Sequence, residues 1–127
     1  MHRDRRSVLI AEHNHVLCES IATQIAMDLG VEVVQTPGGE AALKVVEMNR
    51  DVLVVVANVQ NPNTNGVRLT RQIKDLDPSV SVILMTNEWD EDLIRQATEA
   101  GVDERFTKDA SVGIKPLVDM VRGLLDS

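Results

Sequence analysis

Four places in this sequence put chemically useful side chains at the ends of apolar runs: Glu12 with His13, then Asn58, Thr86 and Lys108. A carboxylate and an imidazole are metal ligands and proton carriers, an amide and a hydroxyl only hydrogen-bond, and an ammonium neutralises a carboxylate or holds an anion. As a metal set they are incomplete. His13 and His15 are two residues apart, a poor spacing for one helical face, and no cysteine or acidic pair completes a ligand set. Glu12 and His13 are therefore weak metal candidates. No nucleophile, base and orienting acid can be assembled either. A nucleotide binder would place a glycine-rich phosphate loop after the first apolar run, where Glu12-His13-Asn14-His15 stands instead. Lys108 can donate to the Asn58 carbonyl or to Glu12, or stay solvated. Trp89, the only tryptophan, falls beside Thr86, where it can cover these residues, anchor a partner or pack in the core.

These residues need a scaffold, and alternation along the chain supplies one. Short β-branched runs alternate with longer amphipathic ones, the pattern of a parallel sheet with helices on both faces. Strands are expected at residues 7–12, 31–35, 52–58, 80–86 and, more weakly, 104–107. The third and fourth are almost continuously apolar, as strands covered on both faces should be. Leu17, Ile21, Ile25 and Leu29 recur at helical spacing before Gly30, which places the first helix at residues 15–29. Further helices are expected at 41–48, 67–76, 90–100 and 116–125. Met27, Met48, Met85 and Met120 lie in or beside apolar runs and read as core filler. In such a sheet the functional crevice lies beyond the carboxyl ends of the strands, which brings Glu12, His13, Asn58, Thr86 and Lys108 to one edge.

A chain of 127 residues suits one domain, here residues 1–127 with a core over 7–125. Thirteen Lys and Arg stand against 20 Asp and Glu, and the resulting net charge of −7 repels nucleic acid and anionic membranes. Neither direct nucleic-acid binding nor membrane contact is expected. Arg3, Arg5 and Arg6 resemble the start of an export signal, but the apolar run at 8–11 is too short for a signal core. Cys18 is the single cysteine, so the cytoplasm is the simplest home.

The order of several short motifs carries a family likeness. Asn58, Pro62 and Gly66 keep the frame in which the receiver domain of bacterial response regulators sets an aspartate, a proline and a glycine, and Asn65-Gly66 stands where that family often has Asp-Gly. Gly39-Glu40-Ala41-Ala42-Leu43 is similar to the entry of its second helix, Thr86 to its switch threonine, and Gly101-Val102-Asp103 with Lys108 to its fifth-strand segment. The chain thus resembles a receiver of two-component signalling over residues 7–125. The resemblance implies a flavodoxin-like fold with strand order 2-1-3-4-5.

The likeness breaks at the chemistry. Receivers use one carboxylate as nucleophile toward a phosphoryl group and two acids after the first strand to hold Mg²⁺. Here those places hold Asn58, Glu12 and His13. An amide cannot form the acyl phosphate that a carboxylate forms, and one carboxylate facing Lys108 is a poor Mg²⁺ site, so weak or absent Mg²⁺ binding and no cofactor are expected. Arg105 replaces the family's mobile aromatic residue and is expected to stay outside, because a buried guanidinium needs an acidic partner. Lys108 is followed by Asp109 instead of the usual proline, and about two residues are inserted before the last helix, which unsettles the register at 112–115.

The expected role is therefore that of a pseudo-receiver, not an enzyme, that acts through protein contact with a histidine kinase or another signalling protein. By resemblance its contact surface, and that of a homodimer, is the face of the fourth helix, fifth strand and fifth helix, with Trp89, Ile94, Arg95 and Arg105 as contact residues. Three rivals stand beside it: a domain that competes for a kinase without accepting phosphate, a small α/β nucleotide-binding protein or enzyme, and a fragment of a longer regulator with an output domain.

Overall fold

The structure, a computed structural model, describes residues 6–60 and 65–127. Arg3, Arg5 and Pro62, which entered the reasoning above, lie outside the described residues. The elements alternate: β1 (Ser7–Ala11), α1 (His15–Leu29), β2 (Glu32–Thr36), α2 (Gly39–Met48), β3 (Val52–Asn58), α3 (Gly66–Leu76), β4 (Ser81–Thr86), α4 (Glu91–Ala100), β5 (Glu104–Thr107) and α5 (Lys115–Asp126). The strands form one parallel sheet in the order β2-β1-β3-β4-β5.

Side chains alternate across a strand, so each central strand feeds two cores. Leu9, Ala11, Val55, Ala57, Val82 and Leu84 face one way and meet Ala42, Val46, Leu69, Ile73 and Ala97 from α2, α3 and α4. Val8, Ile10, Val54, Val56, Ile83, Met85 and Phe106 face the other way and meet Cys18, Ile21, Ile25, Leu117, Val118 and Val121 from α1 and α5. Both faces of β1, β3 and β4 are thereby covered, which is why their sequences are nearly continuous apolar runs.

Three of the helices, α1, α3 and α4, open at the carboxyl edge of the sheet on side-chain caps. Asn14 accepts from the Leu17 N–H, Asn65 from Arg68 and Asp90 from Leu93, each satisfying a free donor of a first turn. Asp90 is thus a cap and not the first helical residue. Gly66 has a different reason for being there. A Cβ at this position would lie 2.7 Å from the Asn58 carbonyl oxygen and 2.8 Å from Leu84 Cδ2, so only glycine lets α3 start against the end of β3.

At the amino edge, Lys74 of α3 and Asp103 tie together the two connections that lead into β4 and β5. Lys74 Nζ donates to Asp103 Oδ2 at 2.8 Å and to the Val80 carbonyl at 2.9 Å, while the same carboxylate oxygen accepts from the Val82 N–H at 2.7 Å. The aspartate of the Gly101-Val102-Asp103 segment therefore caps the start of β4 beside its neighbour strand.

Two of the four methionines expected to fill the core do not. Met27 is 74% and Met48 87% exposed, whereas Met85 is buried and Met120 half-buried. Met27 lies on the face of α1 opposite Ile21 and Ile25, and Met48 is the last residue of α2. Nearness to an apolar run does not fix which way a helical side chain points. Small boundary differences accompany this: β1 ends at Ala11, β2 runs through Thr36, β4 starts at Ser81, and α2, α3 and α5 each begin before the expected residue. The uncertain segment before α5 is a turn, with the Val112 and Gly113 N–H groups donating to the Asp109 carbonyl at 3.0 Å.

Candidate functional site

Glu12 stands one residue past β1 and is buried at 1% exposure. A buried carboxylate requires partners, and it has them. Lys108, one residue past β5, donates from Nζ to Oε1 at 2.6 Å; the Asn14 N–H donates to Oε2 at 3.0 Å; and His13 Nδ1 lies 3.3 Å from Oε2. Lys108 reaches this position because its own N–H donates to the Thr86 carbonyl at 2.8 Å, prolonging the β4–β5 pairing past Thr107. Of the three roles open to Lys108, the structure selects the pair with Glu12. The charge of Glu12 is felt by Cys18, whose thiol is pushed up by burial and, secondly, by that carboxylate.

Asn58 closes β3 and is also buried. Its Nδ2 donates to the Gln60 carbonyl at 2.7 Å. Thr86 closes β4, and its buried hydroxyl donates to Oε1 of the same Gln60 at 3.4 Å. Gln60 thus joins two strand ends, a role that sequence reasoning missed. It lies in a loop, and half of its contact is made by main-chain atoms, which residue type does not reveal.

The second group of expected residues is distributed over α4 and β5. Trp89 is half-buried, packs against the core beneath α4, and donates from Nε1 to the Phe106 carbonyl at 3.1 Å. Arg105 is exposed, as expected, and its guanidinium carbon lies 5.5 Å from the centre of the Trp89 ring, within the range of a cation–π contact. Ile94 is half-buried and Arg95 exposed, the latter paired with Asp92 and Glu99 of its own helix. The structure brings Glu12, His13 and Lys108 together, joins Asn58 to Thr86 through Gln60, and stacks Arg105 on Trp89.

Beside the crevice lies a cavity of about 360 Å³ between α1 and the loop after β5. Leu17, Ile21, Met85, Phe106 and Ile114 give it an apolar floor, and Asn14, Asn87, Lys108 and Asp109 form its polar rim. Among the described residues no group of three or more His, Cys, Asp or Glu could hold a metal ion, and no helix is long and apolar enough to cross a membrane.

A five-stranded parallel sheet in this order, with polar side chains collected at its carboxyl edge, is the flavodoxin-like class of doubly wound α/β domains. Residues 8–122 match the family model for the response regulator receiver domain, and the chain belongs to that family. It is 30% identical over 106 residues to the transcriptional regulatory protein LnrK of Bacillus subtilis, covering 82% of this chain and 47% of LnrK. It is 28% identical over 102 residues to a cyclic di-GMP phosphodiesterase of Thermotoga maritima, covering 80% of this chain and 27% of that protein. The chain therefore spans less than half the length of these two relatives. Among solved structures, a CheY-like receiver domain protein from Methanospirillum hungatei superposes with a TM-score of 0.86 at 20% identity, over 97% of this chain and 95% of that one.

Receiver domains are signalling modules of two-component systems, and in general they bind Mg²⁺ at an acidic pocket. The donors at this edge do not fit that ion. Mg²⁺ requires near-octahedral oxygen ligands with carboxylate charge. Here the one buried carboxylate is bonded to Lys108 and to a main-chain N–H, and the amide nitrogen of Asn58 is directed at the Gln60 carbonyl.

Proposed function

We propose that this chain is a pseudo-receiver: a single receiver-like domain, residues 1–127, that works in phosphorelay signalling through protein contact without itself carrying an aspartyl phosphate. The observation that carries the reading is the amide of Asn58, which donates to the Gln60 carbonyl from the end of β3. A carboxamide nitrogen is not a nucleophile toward a phosphoryl group, and a carboxylate could not make that hydrogen bond. Glu12, His13, Thr86 and Lys108 are then remnants of a phosphorylation site held as a closed polar cluster, with Mg²⁺ binding weak or absent and no cofactor. The domain works in the cytoplasm, touches neither nucleic acid nor membrane, and meets its protein partner, or a second copy, on the face of α4, β5 and α5, where Trp89, Ile94, Arg95 and Arg105 lie.

The test is an amide NMR titration with Mg²⁺ and then beryllofluoride, a phosphoryl mimic, on the chain and on Asn58→Asp. Unchanged resonances at Glu12, Asn58, Thr86 and Lys108 in the natural sequence are expected. A saturable response there would sink the reading.

One observation favours a second reading, in which the domain occupies a histidine kinase without accepting its phosphate. The apolar-floored cavity adjoins the crevice, and the exposed Val16 and Val112 lie in α1 and the loop after β5, the two segments that line it. A partner that addresses the crevice would meet these side chains. Kinase binding that survives Arg105→Ala but is lost in a Val16→Asp, Val112→Asp variant would favour it over contact through α4.

A further inference from the structure

The loop between β4 and α4 has only Asn87, Glu88 and Trp89 between Thr86 and the cap Asp90, and both of its ends are tied to other elements. At the entry, the Thr86 hydroxyl is buried and needs an acceptor, which Gln60 Oε1 provides at 3.4 Å. Gln60 is itself held, because its carbonyl accepts from Asn58 Nδ2 at 2.7 Å. Its side chain therefore starts from a fixed point on the end of β3. At the exit, the indole N–H of Trp89 donates to the Phe106 carbonyl on β5 at 3.1 Å, its ring, like Leu93, packs against the core, and Arg105 covers it from outside. The next residue, Asp90, caps α4 through the Leu93 N–H at 2.8 Å.

We infer that these contacts form a two-point clasp, in which Gln60 on Thr86 and Trp89 on β5 fix the position of α4 whatever the crevice holds. Gln60 and Trp89 are positioning residues in this scheme. Three linking residues leave no slack, so α4 moves only if the indole leaves the Phe106 carbonyl. The inference rests on the proposed function, since it supplies the reason why the α4 face has one form. It assigns to Arg105 the task of shielding the indole contact from water, which accounts for a cation at this exposed position beside the only tryptophan.

The full chain can be tested by amide hydrogen exchange and relaxation dispersion, with Trp89 as the sole tryptophan reporter. Trp89→Phe keeps a ring and removes the donor; Gln60→Met keeps the length and removes the acceptor; Gln60→Glu keeps an acceptor. Loss of one such bond should reduce exchange protection at Leu93 and Ile94 about three- to tenfold in Trp89→Phe, with α1 and α2 unchanged. Gln60→Met should bring millisecond exchange to Thr86 and Asn87, and Gln60→Glu should suppress it. Equal loss of protection in α1, α2 and α4 would overturn the clasp, as would a natural chain that already exchanges between two positions of α4. Beryllofluoride with Mg²⁺ separates the two proposals. Shifts at Glu12 and Asn58 that leave the Trp89 indole resonance in place would sink the proposed function and support the clasp, whereas a displaced indole resonance would overturn the clasp.

Discussion

The two edges of the sheet carry the same pair of devices. Each has a lysine bonded to a carboxylate, Lys108 with Glu12 at the carboxyl edge and Lys74 with Asp103 at the amino edge, at 2.6 and 2.8 Å. Each has an Asp-x-Ser turn, Asp109 with Ser111 and Asp77 with Ser79. Their surroundings differ. The Asp103 side chain is 32% exposed and shares its partners with the main chain of β4, so the pair acts as a staple between connections. Glu12 is fully buried in a crevice whose other groups, Asn58, Gln60 and Thr86, bond among themselves. One ion pair is therefore a structural tie that water can reach, and the other neutralises a charge that water cannot.

That contrast is broken most directly by Lys108→Met, which leaves Glu12 buried without its cation. A loss of about 3 kcal/mol in urea unfolding is expected, and most of it should return in the Lys108→Met, Glu12→Gln double variant. A loss under about 1 kcal/mol would mean that the crevice is open to water. Next in size is Gly66→Ala, where the new methyl meets the Asn58 carbonyl; about 2 kcal/mol is expected, while Gly123→Ala, in open space within α5, should be neutral or stabilising. Asn58→Asp should cost about 1–2 kcal/mol, because a carboxylate oxygen would replace the donor that faces the Gln60 carbonyl. Lys74→Met, at the amino edge, should cost only about 1 kcal/mol, since Asp103 can turn to solvent and keep the Val82 N–H. If Lys74→Met proves as harmful as Lys108→Met, exposure is not what distinguishes the two edges.

The sequence carries the sheet far better than it carries these contacts. Strand runs and helical periods place all ten elements to within a residue or two, because burial on one or two faces is written in the spacing of apolar residues. The carboxyl-edge residues were legible too, since strand ends define that edge. Which partner each residue takes was not. Lys108 and Glu12 are 96 residues apart, and their pairing depends on how far a lysine reaches across the strands between them. Gln60 escaped notice because its carbonyl makes one of its two bonds. Met27 and Met48 show the converse limit, an apolar residue type at an exposed position.

The Asp-x-Ser turns give the smallest expected effect and the finest comparison. Asp77 is half-buried and Asp109 exposed, and in each the serine hydroxyl, then the serine N–H, holds the carboxyl below its ordinary value. A depressed folded-state pKa contributes stability above the unfolded value and loses it as pH falls through the folded one, so both turns should weaken only in acid, below about pH 4. Carboxyl NMR titration should show both midpoints returning upward in Ser79→Ala and Ser111→Ala. Salt then separates the edges. Asp77 is also lowered by the charges of Arg50 and Lys74, whereas Asp109 has no such cation among its causes. Raising ionic strength to roughly 1 M, where screening acts within about 3 Å, should lift the Asp77 midpoint and leave that of Asp109 nearly in place. Equal movement of the two midpoints would show that the amino edge gains nothing from its extra cations and that the serine contacts alone set both turns.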